Sequence, residues 1–405
     1  LTINGSSGAD TIIAGIANDT IYGNNGDDSI DAGAGNNLVY GGAGADTIVL
    51  GSGNDSIDAG DGADVMKVLS ANFTDADSIN GGNNADTIEV TDNANVVDLD
   101  FLHVSSVETL LLSGTGAQQV VLATNSDLAG IRTVTATAGA ASSIDISGTT
   151  SNVSVATNAG NDTVVAGSGN NSISTGEAND LVQFLSANFD GNDTVSNGNG
   201  TDTIQITDNA NVVDADFTHI TSLEALQLSG TGPKQAVFDD LAAAAFNAAT
   251  VTTGSGVDTV DLTGLDEAIT LVSGSGADTV TVTAVTGSGT TVTHNIDLGA
   301  DNDTVYFETS ADFDAVTLDG GANTDEVILT AASQTVTDAQ FNTASNIEKF
   351  TTANGTNSVT LGDTAAAALN VATVTTGTGA DTINLIELDE AITLVSGSGA
   401  DTVTV

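Results

Sequence analysis

The chain has 405 residues, and its 54 acidic residues so outnumber the four basic ones that the formal net charge is −50. This charge excludes nucleic acid and anionic lipid surfaces as partners, because both require a positive footprint. No apolar run approaches the length of a membrane span, and the absence of cysteine excludes disulfides and thiolate metal sites. A hydrophobic fraction of 40% argues against disorder, whereas only 3% aromatic residues favours thin aliphatic layers over a wide globular core.

Residues 10–64 repeat with a nine-residue period. An acidic or amide residue marks each step, with glycine or alanine two residues before it and a large apolar residue two residues after it. Residues 41–49, Gly-Gly-Ala-Gly-Ala-Asp-Thr-Ile-Val, fit the pattern G-G-x-G-x-D-x-U-x completely, where U is a large apolar residue. The marked positions are Asp10, Asp19, Asp28, Asn37, Asp46, Asp55 and Asp64.

With this pattern the chain resembles the RTX, or hemolysin-type calcium-binding repeat, family. The resemblance implies an all-β fold, a right-handed parallel β-solenoid known as a calcium β-roll, in which two nonapeptides form one turn. Residues 18 apart then stack, which places Asp10, Asp28, Asp46 and Asp64 on one edge and Asp19, Asn37 and Asp55 on the opposite edge. Each x-U-x triplet forms a short strand with U in the core.

The stacked carboxylates predict a bound cation. At a spacing of about 4.8 Å they repel by roughly 3–4 kcal/mol per pair at an effective dielectric constant near 20. A divalent ion between them turns that repulsion into a ligand set. Oxygen-only ligands with no Cys or His in phase select a hard ion, and flexible geometry with many carbonyls favours Ca²⁺ over Mg²⁺. The cofactor we predict is therefore calcium, with multiple ions.

The metal-ligand pattern continues, thinning, beyond residue 64. A lone G-x-G-x-D can instead be a simple tight turn, so both interpretations stand for the later positions. Asn37 and Asn171 carry a neutral ligand, for which we expect weaker sites. The later predicted ligands are Asp77, Asp86, Asp162, Asn171, Asp180, Asp193, Asp202, Asp258, Asp278, Asp303, Asp325, Asp381 and Asp401.

A longer repeat divides the chain into modules. Residues 69–73 recur as 185–189, an offset of 185 − 69 = 116, and residues 266–282 return unchanged as 389–405. Because the last copy stops in mid-repeat and residue 1 is not Met, we expect the natural protein to continue. The predicted regions are an RTX β-roll at 1–90, non-RTX solenoid coils at 91–157, RTX coils at 158–206, non-RTX coils at 207–253, degenerate RTX coils at 254–330 and a truncated third module at 331–405.

Two features complete the predicted architecture. Residues 241–247 and 365–370 are the helix-like stretches, each of one or two turns. No flexible linker interrupts the repeats, so the sequence predicts one elongated rod of coils with roughly 18–20 residues each. About 20 such turns, at about 4.8 Å per turn, give a length of roughly 100 Å.

Catalytic signals are weak. His103 and His219 occupy equivalent places (219 − 103 = 116), which favours a structural role at a coil edge, and His294 stands alone in a Thr-rich segment. Glu108 and Glu224 are interpreted as turn or solvent-facing residues. Neither an H-E-x-x-H zinc motif nor a G-x-S-x-G nucleophile elbow occurs. We therefore do not expect an enzyme.

These features predict an extracellular structural protein. The chain is similar to RTX-type bacterial surface-layer proteins, which implies one-step (type I) secretion, folding in calcium-rich medium and calcium-dependent self-assembly into a lattice or filament at the cell surface. Cell-surface polysaccharide is a further possible partner. Two alternatives remain open: the stalk of an adhesin that binds a surface, glycan or ice, and the repeat and secretion domain of a larger exported enzyme.

Overall fold

The computed structural model describes residues 1–93, 95–209, 211–283, 293–388 and 391–405. Within the predicted coils at 254–330, residues 284–292 lie outside this part, as do residues 389–390 at the start of the repeated segment 389–405. The chain forms two units. The first consists of residues 1–188 and 192–202, and the second of residues 189–191 and 203–405.

Short parallel strands build the first unit, and they stack into three sheets. The first sheet contains Thr2–Asn4, Thr20–Asn25, Leu38–Ala43, Ser56–Asp61, Ser78–Asn83 and Val104–Ser105. The second contains Thr11–Ile13, Ser29–Asp31, Thr47–Val49, Val65–Val68, Thr87–Val90, Thr109–Leu112, Thr133–Ala136, Ser154–Ala156, Ser172–Ser174 and Thr194–Ser196. The third contains Asn95–Val97, Gln119–Val121, Ser143–Asp145, Thr163–Val165 and Leu181–Phe184.

The second unit repeats this plan. One sheet contains Thr203–Ile206, Leu223–Leu228, Phe246–Thr252, Thr270–Val272, His294–Asp297, Val316–Asp319 and Ala344–Ser345. A second contains Asn211–Val212, Gln235–Val237, Thr259–Asp261, Thr279–Val282, Thr304–Phe307, Glu326–Leu329, Ile347–Thr352, Leu369–Thr375 and Thr393–Val395. A third contains Thr335–Val336, Ser358–Thr360, Thr382–Asn384 and Thr402–Thr404, and Ile220–Thr221 is a further short strand.

The register defines a parallel β-solenoid, which confirms the predicted fold class. Thr2 pairs with Thr20, a step of 18 residues, so one coil of the first array contains two nonapeptides. Later coils are longer than predicted: Thr109 pairs with Thr133, a step of 133 − 109 = 24. The apolar residue of each nonapeptide points inward, as Ile21, Ile30, Val39 and Ile48 are fully buried. Aliphatic layers thus form the core, and burying them is the main favourable term in folding.

Helical turns explain the longer coils. The α-helices are Thr124–Ala129, Asp240–Ala245, Ser310–Asp314 and Asp363–Ala368, and the 3₁₀ turns are Ser70–Asn72, Asp98–Phe101, Ser186–Asn188, Asp214–Phe217 and Asp338–Phe341. Within the described residues no helix has the length and apolar character needed to cross a membrane. Phenylalanines of these turns pack edge to face, as Phe73 does against Phe101 and Phe313 against Phe341. Such pairs fill the wider coils.

The sequence predicted the helices at 241–247 and 365–370 but missed those at Thr124–Ala129 and Ser310–Asp314. The three six-residue helices are capped by an aspartate of the preceding coil rather than by a local residue. Asp98 accepts hydrogen bonds from Ala123 N (2.7 Å) and Ser126 N (3.0 Å) at the start of Thr124–Ala129. Asp214 and Asp338 cap the helices Asp240–Ala245 and Asp363–Ala368 in the same way.

Candidate metal centres

The predicted ligands form ladders along the edges of the solenoid. In each ladder, the backbone N–H of one residue donates to the side-chain Oδ1 of the residue one coil later. Asp10 N lies 2.8 Å from Asp28 Oδ1, Asp28 N 2.8 Å from Asp46 Oδ1, and Asp46 N 2.7 Å from Asp64 Oδ1. The opposite edge carries the ladder Asp19–Asn37–Asp55. We call this arrangement the aspartate ladder.

The structure brings the remaining predicted ligands into the same arrangement, coil by coil. The ladders continue as Asp64–Asp86, Asp55–Asp77, Asp162–Asp180–Asp202, Asn171–Asp193, Asp258–Asp278–Asp303–Asp325 and Asp381–Asp401. Donor–acceptor distances lie between 2.7 and 3.2 Å. Coil length therefore varies while the hydrogen-bond pattern stays constant.

Sequence reasoning missed several members of the ladder. Glu108, which we interpreted as a turn or solvent-facing residue, accepts a hydrogen bond from Asp86 N at 2.8 Å, and Glu348 accepts one from Asp325 N at 2.9 Å. Ser142, Lys234 and Asn357 each donate their backbone N–H to the next aspartate. The available signal was distance along the chain: each of these residues lies one coil length from an aspartate of the repeat.

The second carboxylate oxygen of most ladder residues is buried without a protein partner. Burial is nearly complete, since Asp28, Asp46 and Asp64 expose 2% or less of their surface. An unsatisfied buried acceptor destabilises a fold by about 1–3 kcal/mol, and more when it is charged. The ladder residues whose Oδ2 has no hydrogen-bond partner are Asp28, Asp46, Asp55, Asp64, Asp86, Asp162, Asp180, Asp278, Asp303, Asp325 and Asp381.

A backbone carbonyl lies beside the partnerless oxygen in the coils of Asp28 and Asp46. A Cβ atom on Gly23 would collide with both Asp28 Oδ2 and the carbonyl oxygen of Gly41, so the two oxygens face the same point. Gly41 stands in the same relation to Asp46 Oδ2 and the Ala59 carbonyl. Among the described residues no three His, Cys, Asp or Glu side chains converge. A cation held here is therefore bound by one or two carboxylates together with carbonyls, an oxygen set that suits Ca²⁺.

Burial raises the pKa of several ladder carboxyls in the absence of a cation, most clearly Asp46, Asp86, Asp278, Asp303 and Asp325. Burial, followed by the charges of Asp64 and Asp28, raises the pKa of Asp46 to about 6, although a hydrogen bond from Asp28 N opposes the shift. Burial and the neighbouring Asp278 and Asp325 raise the pKa of Asp303 to about 7. The cause is that a buried carboxylate loses hydration. A bound divalent ion supplies the positive charge that the protein itself lacks at these positions.

Four predicted ligands differ from this pattern because the protein satisfies their second oxygen. The Ser6 N–H donates to Asp10 Oδ2 at 2.6 Å, and the Thr74 N–H to Asp77 Oδ2 at 3.0 Å. The Gly15 N–H donates to Asp19 Oδ2 at 3.3 Å. Asp258 pairs with the Lys234 ammonium at 3.3 Å.

The asparagines of the ladder use their amide groups differently from the aspartates. Asn37 Nδ2 donates to the Gly35 carbonyl, two residues earlier, at 3.0 Å, and Asn171 Nδ2 donates to the Gly169 carbonyl at 2.8 Å. An amide NH₂ thus engages a carbonyl that faces the ladder. This geometry gives a physical reason for weaker cation binding at these coils.

The histidines show no catalytic arrangement. His103 Nδ1 lies 2.9 Å from the Asp75 carbonyl oxygen, and His219 Nδ1 lies 2.8 Å from the Gly191 carbonyl oxygen. Each ring thus contacts a carbonyl of the loop at the equivalent place in its module. His294 is buried, and this burial lowers its pKa to about 4, so its ring is neutral at physiological pH.

Comparison with known proteins agrees with the ladder geometry. The family model for the RTX calcium-binding nonapeptide repeat, which spans four copies, matches residues 4–39, 40–67 and 155–183. These segments contain the ladder residues from Asp10 to Asp64 and from Asp162 to Asp180. No curated protein matches the chain. These three segments therefore carry the RTX calcium-binding nonapeptide repeat.

Proposed function

We propose that this chain is an extracellular structural segment of a bacterial surface layer or surface filament, and that calcium drives its folding and assembly. The observation that carries the proposal is the row of buried Oδ2 atoms without protein partners, which recurs in both units. A repeated cation requirement of this kind suits a scaffold, since each coil contributes one more copy of the same element.

The charge of the chain supports calcium as the folding signal. With −50 formal charges and only four basic residues, self-repulsion opposes any compact state at low calcium. Calcium that binds the folded state and not the unfolded one stabilises it by mass action. The chain then stays unfolded in a calcium-poor cytosol, passes through a type I secretion channel, and folds outside the cell.

Surface carboxylates offer a route to assembly. Asp58 and Asp61 lie beside Asn80 and Asn83 on one polar face of the first unit, where Asn83 Nδ2 donates to Asp61 Oδ1 at 2.6 Å. Calcium bridging such faces between copies links subunits into a lattice or filament. Cell-surface polysaccharide is a second partner that such a polar, acidic face accommodates through calcium.

A matched pair of variants tests the calcium role. Asp28→Asn removes a charge from the ladder, whereas Asp27→Asn removes one from its exposed neighbour, whose Oδ1 accepts a bond from Ala45 N at 2.8 Å. Asparagine already occupies both kinds of position, as Asn37 and Asn36. We expect Asp28→Asn to bind fewer calcium ions and to need more calcium to gain β circular dichroism, with Asp27→Asn like wild type. Equal calcium binding by both variants would contradict the proposal.

The adhesin stalk remains the second candidate because threonines align on an outer face. Thr259, Thr279 and Thr304 stand in register on adjacent strands of the second unit. Negative-stain microscopy separates the two functions. A surface-layer or filament subunit forms sheets or fibres when calcium is added, whereas a stalk stays monomeric in calcium and binds a glycan, a surface or ice.

A further inference from the structure

Lys234 occupies a ladder position in which an ammonium group replaces a carboxylate. Its backbone N–H donates to Asp258 Oδ1 at 2.9 Å, as an aspartate of the ladder does toward the next coil. Its carbonyl accepts a bond from Thr259 N, as the carbonyl of Gln118 accepts one from Ser143 N. Lys234 is therefore a member of the ladder, although its side chain has the opposite charge.

The ammonium lies among the same kinds of oxygen that surround the other ladder sites. Lys234 Nζ is 3.1 Å from the Gly232 carbonyl, two residues earlier, and also contacts the Ser255 carbonyl of the next coil. It lies 3.3 Å from Asp258 Oδ2. An ammonium has three N–H donors, and these three groups use all of them.

The Lys234–Asp258 pair is buried, so its charges must be satisfied within the protein. Lys234 is 1% exposed and Asp258 is fully buried, and a buried charge is tolerated when it is paired and hydrogen-bonded. Asp258 Oδ2 has a partner, whereas the Oδ2 atoms of Asp278, Asp303 and Asp325 on the same ladder have none. The difference between these coils is the cation that the chain itself supplies at Asp258.

We propose that the Lys234 ammonium is a resident cation, which takes at the Asp258 coil the place that calcium takes at neighbouring coils. This coil therefore closes without calcium, while the next coils require it. The inference rests on the proposed calcium function, and it further states that a single substitution converts the Lys234 coil into a calcium site.

The chain supplies natural models for the substitutions. Glutamine stands at the equivalent positions 118 and 334, where Nε2 donates to the Gly116 carbonyl (2.9 Å) and the Ala332 carbonyl (3.4 Å). Lys234→Gln therefore removes the charge with a residue that this position accepts. Lys234→Asp restores the carboxylate found at most other ladder positions. Lys349, which is exposed in the same unit, provides the control variants Lys349→Gln and Lys349→Asp with the same changes in net charge.

The experiment measures bound calcium per full-length chain by atomic emission after equilibrium dialysis in saturating calcium, with circular dichroism to verify the fold. We expect Lys234→Asp to bind one more calcium ion than wild type, Lys234→Gln to bind an additional ion more weakly because its amide competes for the Gly232 carbonyl, and the Lys349 variants to bind the wild-type number. We also expect Lys234→Gln to lose stability in chelator and to regain it in calcium.

Two outcomes overturn the inference: a folded Lys234→Asp variant with the wild-type calcium number, or a Lys234→Asp variant that calcium fails to fold. Failure of the broader proposal looks different, because the wild-type chain itself then binds no calcium. If wild type binds calcium and Lys234→Asp gains none, the resident cation alone is disproved.

Discussion

The Asp28 and Asp46 coils of residues 1–90 and the Asp258 and Asp278 coils of residues 253–330 share one hydrogen-bond pattern but differ in the residue that stands five positions before the aspartate. In the Asp28 and Asp46 coils this residue is Gly23 or Gly41, and a Cβ there would collide with the partnerless carboxylate oxygen. In the Asp258 and Asp278 coils it is Thr253 or Ser273, and both residues are fully buried.

Each buried hydroxyl donates to a backbone carbonyl of the next coil. The equivalent carbonyls in the Asp28 and Asp46 coils of the first array face the ladder carboxylates. Thr253 Oγ1 donates to the Ser273 carbonyl at 2.8 Å, and Ser273 Oγ donates to the Leu298 carbonyl at 2.8 Å. The Ser273 carbonyl corresponds to that of Gly41, which faces Asp28 Oδ2. The Asp28 and Asp46 coils thus leave the facing carbonyl for a cation, whereas the Asp258 and Asp278 coils satisfy it with a hydroxyl of their own. The comparison teaches that one backbone plan supports different degrees of calcium dependence.

The largest expected effect is the response of the two arrays to calcium removal. Because glycine supplies no hydroxyl to the facing carbonyl in the Asp28 and Asp46 coils of the first array, we expect the amides of these coils to lose protection from hydrogen exchange in chelator before those of the Asp258 and Asp278 coils. Hydrogen-exchange mass spectrometry with and without calcium resolves the two regions. Equal loss of protection in both arrays would contradict the difference drawn from Gly23 and Thr253.

A substitution at Gly41 tests the space that glycine provides. Its Cβ would collide with Asp46 Oδ2 and the Ala59 carbonyl, so Gly41→Ala should destabilise the calcium-loaded chain by about 1–3 kcal/mol, as overpacking does. Gly8→Ala is the control because nothing lies within 4 Å of its Cβ position. Urea unfolding in calcium measures both. A Gly41 variant as stable as the Gly8 variant would show that the space beside Oδ2 is dispensable.

Acid should partly replace calcium. In the calcium-free folded chain the pKa values of Asp46 (about 6) and Asp303 (about 7) lie above the ordinary value of 3.8. The folded state then binds protons more tightly than the unfolded state, so its stability falls as pH rises from about 4 to 7 and recovers as pH falls through that range. Thermal unfolding of calcium-stripped protein should therefore give a higher midpoint at pH 4.5 than at pH 7.5. The reverse order would contradict the raised pKa values.

The smallest effect concerns Ser273. Ser273→Gly removes the hydroxyl that engages the Leu298 carbonyl and makes the Asp278 coil resemble the Asp28 and Asp46 coils. A net hydrogen bond contributes about 0.5–1.5 kcal/mol, so calcium binding in the later array should tighten by about tenfold or less. Competition titration against a calcium-sensitive dye measures the change. Weaker binding by the variant would indicate that the hydroxyl itself supports the ion.

Much of the fold was predictable because its cause is local and periodic. The nine-residue spacing places Ile21 and Ile30 in the core and Asp28 and Asp46 in one ladder, and a regular solenoid has few other ways to bury such a pattern. The shared period therefore predicted both the layers and the columns of residues 1–90.

The remaining features depend on contacts between coils, which the local pattern does not encode. The Thr124–Ala129 helix is capped by Asp98 of the preceding coil, so its own sequence lacks the usual start signal. Glu108 lies 22 residues after Asp86, and Lys234 lies 24 residues before Asp258. The nine-residue period does not give these coil lengths, so it does not place either residue in the ladder. Their side chains do not resemble the repeat, and their position alone identifies them.

Anomalous diffraction from crystals grown in calcium tests the central claim most directly. The account predicts difference peaks beside the Oδ2 atoms of Asp28, Asp46 and Asp64, and no peak at the Lys234 ammonium. Peaks absent from all three aspartates, in a chain that keeps its fold after chelation, would contradict it.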